Sequence, residues 1–227
     1  MLFIDDLTTA GKIKINHVDL RMKFPKYYIE SPTQFLEDYS KACEKARRSV
    51  APSMFGESVN LIECAYQEGK TVYVCGNGGS TAIANHMVCD HGKLVATDTL
   101  LKPRVISLSH PTEMITAIAN DISYDDIFSY QLELMANRGD VLMVISGSGE
   151  SPNVVKALKA AQVIGMKSIA MTAFSGGQCR DLADVSLHVE AENYGIAEDV
   201  HQSLMQMMAQ FIRMRNMDRD MIITAKF

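Results

Sequence analysis

The chain has 227 residues, 47% apolar and 22% charged, with a net charge of −5; this suits one globular domain with a substantial core and excludes a chain disordered throughout. The acidic balance argues against nucleic acid as the main ligand. No apolar run approaches the ~20 residues of a membrane span.

The first residues, "MLFIDDLTTAGKIKIN", lack the basic-then-apolar order of a secretory signal. Cys43, Cys64, Cys75, Cys89 and Cys179 are scattered, with no CxxC pair. That pattern fits free thiols in a reducing cytoplasm better than a disulfide framework. The 15 methionines read as soft core or interface filler.

Residues 1–31 show weak periodicity and read as an N-terminal arm; residues 32–227 read as one domain. Ser31 and Pro32 form a helix start, an N-cap followed by proline at the first helical position. Phe35, Tyr39, Ala42 and Ala46 then line one face. A second helix is expected from Pro52 to Gln67, and this pair of helices either covers a sheet or meets another subunit. Five short apolar runs follow, "TVYVC" (71–75), "RVISL" (104–108), "VLMVI" (141–145), "SIAMT" (168–172) and "VSLHV" (185–189). They read as strands buried on both faces. Helical stretches at about 80–91, 112–119, 124–136 and 152–164 alternate with them, and an amphipathic helix at about 197–215 carries Val200, Leu204, Met208, Phe211 and Ile212 as its apolar stripe. This rhythm predicts a three-layer αβα fold around a five-stranded parallel, doubly wound sheet, with extra N-terminal helices.

Ligands of such sheets bind beyond the carboxyl ends of the strands. Two of those ends are unusual: "CGNGGS" (75–80) and "SGSGES" (146–151). Each follows a strand and opens a helix. Glycines let backbone N–H groups approach a ligand, and a helix N-terminus carries partial positive charge. Ser146, Ser148 and Ser151 in one loop, with Ser80 from the other, make a phosphate cradle; the plainer reading is that such residues only form turns and caps. A dinucleotide fingerprint would need a third glycine where Thr81 stands and an acidic residue after the next strand. A P-loop would need Gly-Lys-Ser/Thr. Neither is present, which leaves a smaller phosphorylated ligand held by hydroxyls and backbone.

"GNGGS" with His86 and an acid four residues later, "SGSGES" with Asn153, and "ENYGIAEDVHQSLMQMMAQ" together resemble the sugar isomerase (SIS) domain. More closely they resemble the phosphoheptose isomerases, which interconvert sedoheptulose 7-phosphate and D-glycero-D-manno-heptose 7-phosphate in heptose biosynthesis. The resemblance covers about residues 33–215. It implies that Asn77, Gly78 and Gly79 line the sugar site with Ser80 nearby, that Asn120 and Asp121 contact substrate, and that Ser146, Gly147, Ser148 and Ser151 hold the phosphate. It implies a zinc-ligand position at His86, and a homotetramer with its sites between subunits.

The family's other metal and catalytic positions are usually Glu, Gln and His; here they are Asp90, Glu198 and Gln206. Gln206 cannot titrate, so it cannot act as an acid or base. Asp90 and Glu198 could divide the base and acid roles, with Glu198 also contacting substrate. His86, Asp90 and Glu198 form a credible three-ligand set for zinc, with Gln206 a weak fourth. His201 is expected as a surface or subunit-contact histidine, or else as the missing acid. His91 carries little expectation, and Cys89 reads as a buried thiol. The alternatives to this isomerase are an isomerase of another phosphosugar, and a non-catalytic SIS module that binds a sugar phosphate or a replication-initiator-type protein.

Overall fold

A computed structural model of the protein describes residues 23–227, so most of the expected 1–31 arm lies outside the described residues. Its last stretch is docked. Phe24 sits edge-on to Phe35 and Tyr39, with ring centroids 5.2 and 5.6 Å apart, and the Asn193 amide donates to the Phe24 carbonyl at 2.9 Å.

Helix α1 (Pro32–Arg48) begins as its sequence predicts, with the Ser31 hydroxyl accepting from the Gln34 N–H. Helix α2 (Pro52–Gln67) then leads into a sheet of five parallel strands: β1 (Thr71–Gly76), β2 (Arg104–Ser107), β3 (Val141–Ser146), β4 (Lys167–Thr172) and β5 (Val185–His188). Their spatial order is β2-β1-β3-β4-β5. The remaining helices are α3 (Gly79–Cys89), α4 (Thr112–Asp121), α5 (Ser129–Met135), α6 (Pro152–Ile164), α7 (Gly177–Leu182) and α8 (Tyr194–Asn216).

The sheet separates two apolar layers. Val72, Val74, Met143, Ile145 and Met171 face α2, α3 and α8, while Tyr73, Cys75, Leu142, Val144 and Ala170 face α4, α5, α6 and α7. The alternation along β1 and β3 places successive side chains in opposite layers, as the strand period requires. Burial on both faces holds for the inner strands but not for the edges. In β2, an edge strand of the sheet among the described residues, Ile106 remains 39% exposed. In β5 the burial is alternating rather than continuous.

Several helical expectations are corrected. The stretch expected at about 124–136 divides into a 3₁₀ turn, Tyr124–Asp126, and α5. Helix α8 starts three residues earlier than its apolar stripe suggests, because Asn193 caps it by accepting from the Ile196 N–H. Val200, Leu204, Met208 and Ile212 of its stripe are buried, but Phe211 is 40% exposed. The stretch after α3 tightens into a π-helical turn over Asp90–Leu94, and π turns recur at functional sites. Helix α7 was not expected; six residues are too few to show a period.

Candidate active site

Strand order reverses between β1 and β3, so β1 and its neighbours diverge there into opposite connections. The crevice beyond the carboxyl ends of these two strands is the place where such folds bind ligands. The two glycine- and serine-rich loops leave β1 and β3 at this point. They and α8 enclose a cavity of about 250 Å³, lined by Asn77, Gly78, Gly79, Ser80, Ile145, Ser146, Gly147, Ser148, Ser151, Tyr194 and Glu198. Larger hollows of about 440 and 500 Å³ lie elsewhere, but neither is lined by helix N-termini.

Both loops are locked to their surroundings. The side-chain amides of Asn77 and Asn153 donate to each other's carbonyl oxygens at 2.9 Å, and Asn153 is buried. This reciprocal pair fixes the spacing of the loops. Ser109 joins the end of β2 to β1, accepting from the Gly76 N–H at 3.1 Å and donating to its carbonyl at 2.8 Å. On the far side, the serine loop rests on α7, where Glu150 accepts from the Gln178 backbone and side-chain amides.

Gly78 is required by its backbone geometry, and Gly79 leaves room for a side chain from α8. Gly78 has φ 54° and ψ −124°, a conformation that side chains resist. At Gly79, a methyl group would overlap the Glu198 carboxylate. The Glu198 carboxylate therefore lies at the first turn of α3, where the helix dipole favours negative charge. In the serine loop, Ser146 Oγ accepts from the Gly149 N–H at 3.2 Å. Ser151 is the N-cap of α6 but makes no side-chain capping bond. Its hydroxyl is thus not committed to its own helix, unlike that of Ser31 or the amide of Asn193.

The expected acid-base and metal residues are less gathered. His86 Nε2 stands 3.3 Å from Asp90 Oδ1, and the Gln202 amide nitrogen lies 2.9 Å from His86 Nδ1. Asp90 Oδ2 is buried without a partner. Neither His86, Asp90 nor Gln206 lines the cavity, and among the described residues no three His, Cys, Asp or Glu side chains stand close enough to hold a metal. Asn120 and Asp121 are exposed on the last turn of α4, bonded to each other at 2.8 Å. From the same segment it is Tyr124 that reaches toward the site, its hydroxyl 3.3 Å from Asn77 Oδ1.

The flanking residues depart from expectation. His201 is fully buried and its Nε2 lies 3.2 Å from the Thr172 carbonyl. Burial chiefly, with His188 adding, pushes its pKa down to about 4 although the Thr172 carbonyl opposes this. It is neither a surface histidine nor placed as an acid. His91 is also buried, with Nδ1 2.8 Å from the Tyr66 hydroxyl. Cys89 is exposed rather than buried, because the helix turns it away from the core that Met87 enters. Tyr194 and Gln202 were not singled out from sequence. The only signal was spacing: Tyr194, Glu198 and Gln202 recur every four residues on one face of α8.

Comparison with known proteins decides the family. The SIS domain model matches residues 34–173. The chain belongs to the SIS domain family. A probable phosphoheptose isomerase of Thermoplasma acidophilum is 41% identical over 155 residues, covering 66% of this chain and 82% of that one. A phosphoheptose isomerase of Helicobacter pylori is 36% identical over 166 residues, covering 72% and 84%. Among solved structures, a phosphoheptose isomerase from Neisseria gonorrhoeae has TM-score 0.72 and 28% identity over 79% of this chain and 95% of that one. One from Francisella tularensis has TM-score 0.72 and 26% identity over 80% and 98%. The SIS fold expected from the loops is thus the fold observed.

Proposed function

We propose that this SIS protein is a phosphoheptose isomerase, interconverting sedoheptulose 7-phosphate and D-glycero-D-manno-heptose 7-phosphate for heptose biosynthesis. The observation that carries this reading is the Glu198 carboxylate pressed on Gly79 in the same cavity as the serine loop. The relatives named above supply the identity of the sugar.

The phosphate is held by the hydroxyls of Ser146, Ser148 and Ser151 and by backbone N–H groups at the N-terminus of α6. Asn77, Gly78, Gly79 and Ser80 line the other end, where the reacting carbons lie. Asn120 and Asp121 complete the substrate contacts once a sugar is bound. Glu198 removes a proton from C1 of the ketose, giving an enediolate, and returns a proton to C2; the hydroxyl proton of O1 moves to O2 over the same cycle. Asp90, oriented by His86, serves the sugar oxygens as the second group.

A divalent metal, zinc in the reading from sequence, is compatible with the donor set of one imidazole, two carboxylates and an amide. The buried, unpartnered Asp90 Oδ2 is an available donor beside His86. The ion expected from sequence would need His86 and Asp90 to be joined by Glu198 and Gln206 of α8, which the described residues do not bring together; no step of the reaction is therefore routed through it. The chemistry it supplies when bound is polarisation of the substrate oxygens.

The protein is further proposed to be cytoplasmic, in keeping with five free cysteines; no helix among the described residues is long and apolar enough to cross a membrane. A homotetramer with sites between subunits is proposed from the exposed apolar side chains Met207, Phe211 and Met214 along α8.

Incubation with sedoheptulose 7-phosphate, once after chelation and once with added zinc, tests the reading by NMR of the aldose product. Turnover in either condition supports it. Saturable binding with no turnover in both would replace it with a sugar-phosphate-binding module.

A further inference from the structure

The first turns of α8 carry a second pocket residue that the proton transfer does not use. Tyr194 and Glu198 are four residues apart, so their side chains stand one turn apart on the same face, and both line the cavity. They address different ends of it. Glu198 meets Gly79, whereas the Tyr194 ring lies over Gly147 in the serine loop, where an added methyl group would come within 3.3 Å of its Cδ1.

Phe174 stands behind Tyr194, with ring centroids 4.6 Å apart. Its backbone is held at φ 51°, a region that a bulky aromatic residue rarely occupies and that costs free energy. Two hydrogen bonds hold the strained turn in place. The Phe174 N–H donates to the Ala191 carbonyl at 2.9 Å, just before α8, and the Ala173 N–H donates to the Gly147 carbonyl at 2.8 Å. Glycine would remove the strain but would leave Tyr194 without its support. Phe174 also packs against the core, whereas Tyr194 is 60% exposed, so core packing places Phe174 but leaves the Tyr194 ring facing the pocket. An aromatic face beside a phosphate cradle is suited to the C–H groups of a sugar chain.

We propose that Tyr194, propped by Phe174, packs against the phosphate-bearing end of the sugar and sets the chain length of the phosphosugar accepted. This deepens the isomerase reading and rests on it for the class of ligand. Isothermal titration with sedoheptulose 7-phosphate and with the five-carbon ribulose 5-phosphate reads the contact without requiring turnover. Tyr194→Ala is expected to weaken the seven-carbon ligand by about tenfold, and the five-carbon ligand much less. Tyr194→Phe, which keeps the ring, is expected to restore most of that affinity. Phe174→Gly is expected to weaken the seven-carbon ligand more than the five-carbon one when both are titrated well below the variant's own melting temperature, which loss of the ring's core contacts lowers. Equal losses for both ligands in Tyr194→Ala, or affinity within about twofold of the parent, would overturn the proposal. A parent protein that binds the sugar but never turns it over would overturn the isomerase reading alone, and the Tyr194 comparison would stand.

Discussion

The serine-loop side of the pocket and the α3–α8 side are built by different means. On the first, the parts are backbone: strand ends, glycines and the starts of α3 and α6. The parallel topology brings them to one crevice, and the Asn77–Asn153 pair fixes their separation. On the second, the parts are side chains on two packed helices. His86 and Asp90 are in contact there, Glu198 sits in the pocket, and Gln206 joins neither. In the proposed reading a ligand's phosphate meets a preassembled cradle, whereas the proposed acid-base groups depend on rotamers and helix packing.

This difference can be broken at its most sensitive point first. Glu198→Gln keeps the shape of the side chain and removes its basicity, so kcat should fall about 10³-fold with sugar-phosphate affinity largely kept. A Glu198→Gln enzyme within tenfold of the parent in steady-state assays would move the base elsewhere. Gly79→Ala forces the carboxylate off its seat, and misplacement on the scale of 1 Å predicts a loss of roughly 10² in kcat/KM. Circular dichroism melting separates this loss from unfolding of α3.

Buried His201 sharpens the comparison from below the site. Its folded pKa of about 4 lies under the unfolded value of roughly 6.5, so between these values the unfolded chain binds the extra proton. Stability from His201 is therefore full above pH 6.5 and is lost as pH falls toward 4. The cost at pH 5 is roughly 2 kcal/mol. Burial lowers His91 to about 4 as well, so urea unfolding at pH 7.5 and pH 5 should show both losses, and His201→Gln should remove about half of the pH dependence; an equal pH slope in both proteins would contradict the assignment. His188, which shares Thr172 through a 3.0 Å contact to Oγ1, faces the same group and belongs in the same titration.

The smallest expected effect lies on the preassembled side. Ser151→Ala deletes a hydroxyl not used for capping. It should raise KM about tenfold with little change in kcat or melting temperature. A marked loss of stability instead would make Ser151 a structural cap.

The same contrast explains what could be read from the sequence. Short β-branched runs and glycine loops report local backbone, so β1 to β5 and both loops are legible, whereas the adjacency of β1 and β3 that brings the loops to one crevice is seen only in the strand order. Tyr194 and Gln202 needed knowledge of which face of α8 meets α3, which an amphipathic stripe states only for its buried side. His201 was misplaced at the surface because a histidine within an otherwise apolar stripe gives no sign of whether a backbone carbonyl awaits it. Cys89 was placed inside by residue type alone. Asn120 and Asp121, identified by motif, remain on the exposed end of α4, where only a ligand or a neighbouring subunit would give them a role.

Proton NMR of sedoheptulose 7-phosphate in D₂O tests the central claim most directly, with the parent protein, Asp90→Asn and Glu198→Gln compared side by side. The parent should form the aldose and incorporate deuterium at C2. Glu198→Gln should do both about 10³-fold more slowly, and Asp90→Asn should be slowed. Formation of the deuterated aldose by Glu198→Gln at the parent's rate would contradict the account.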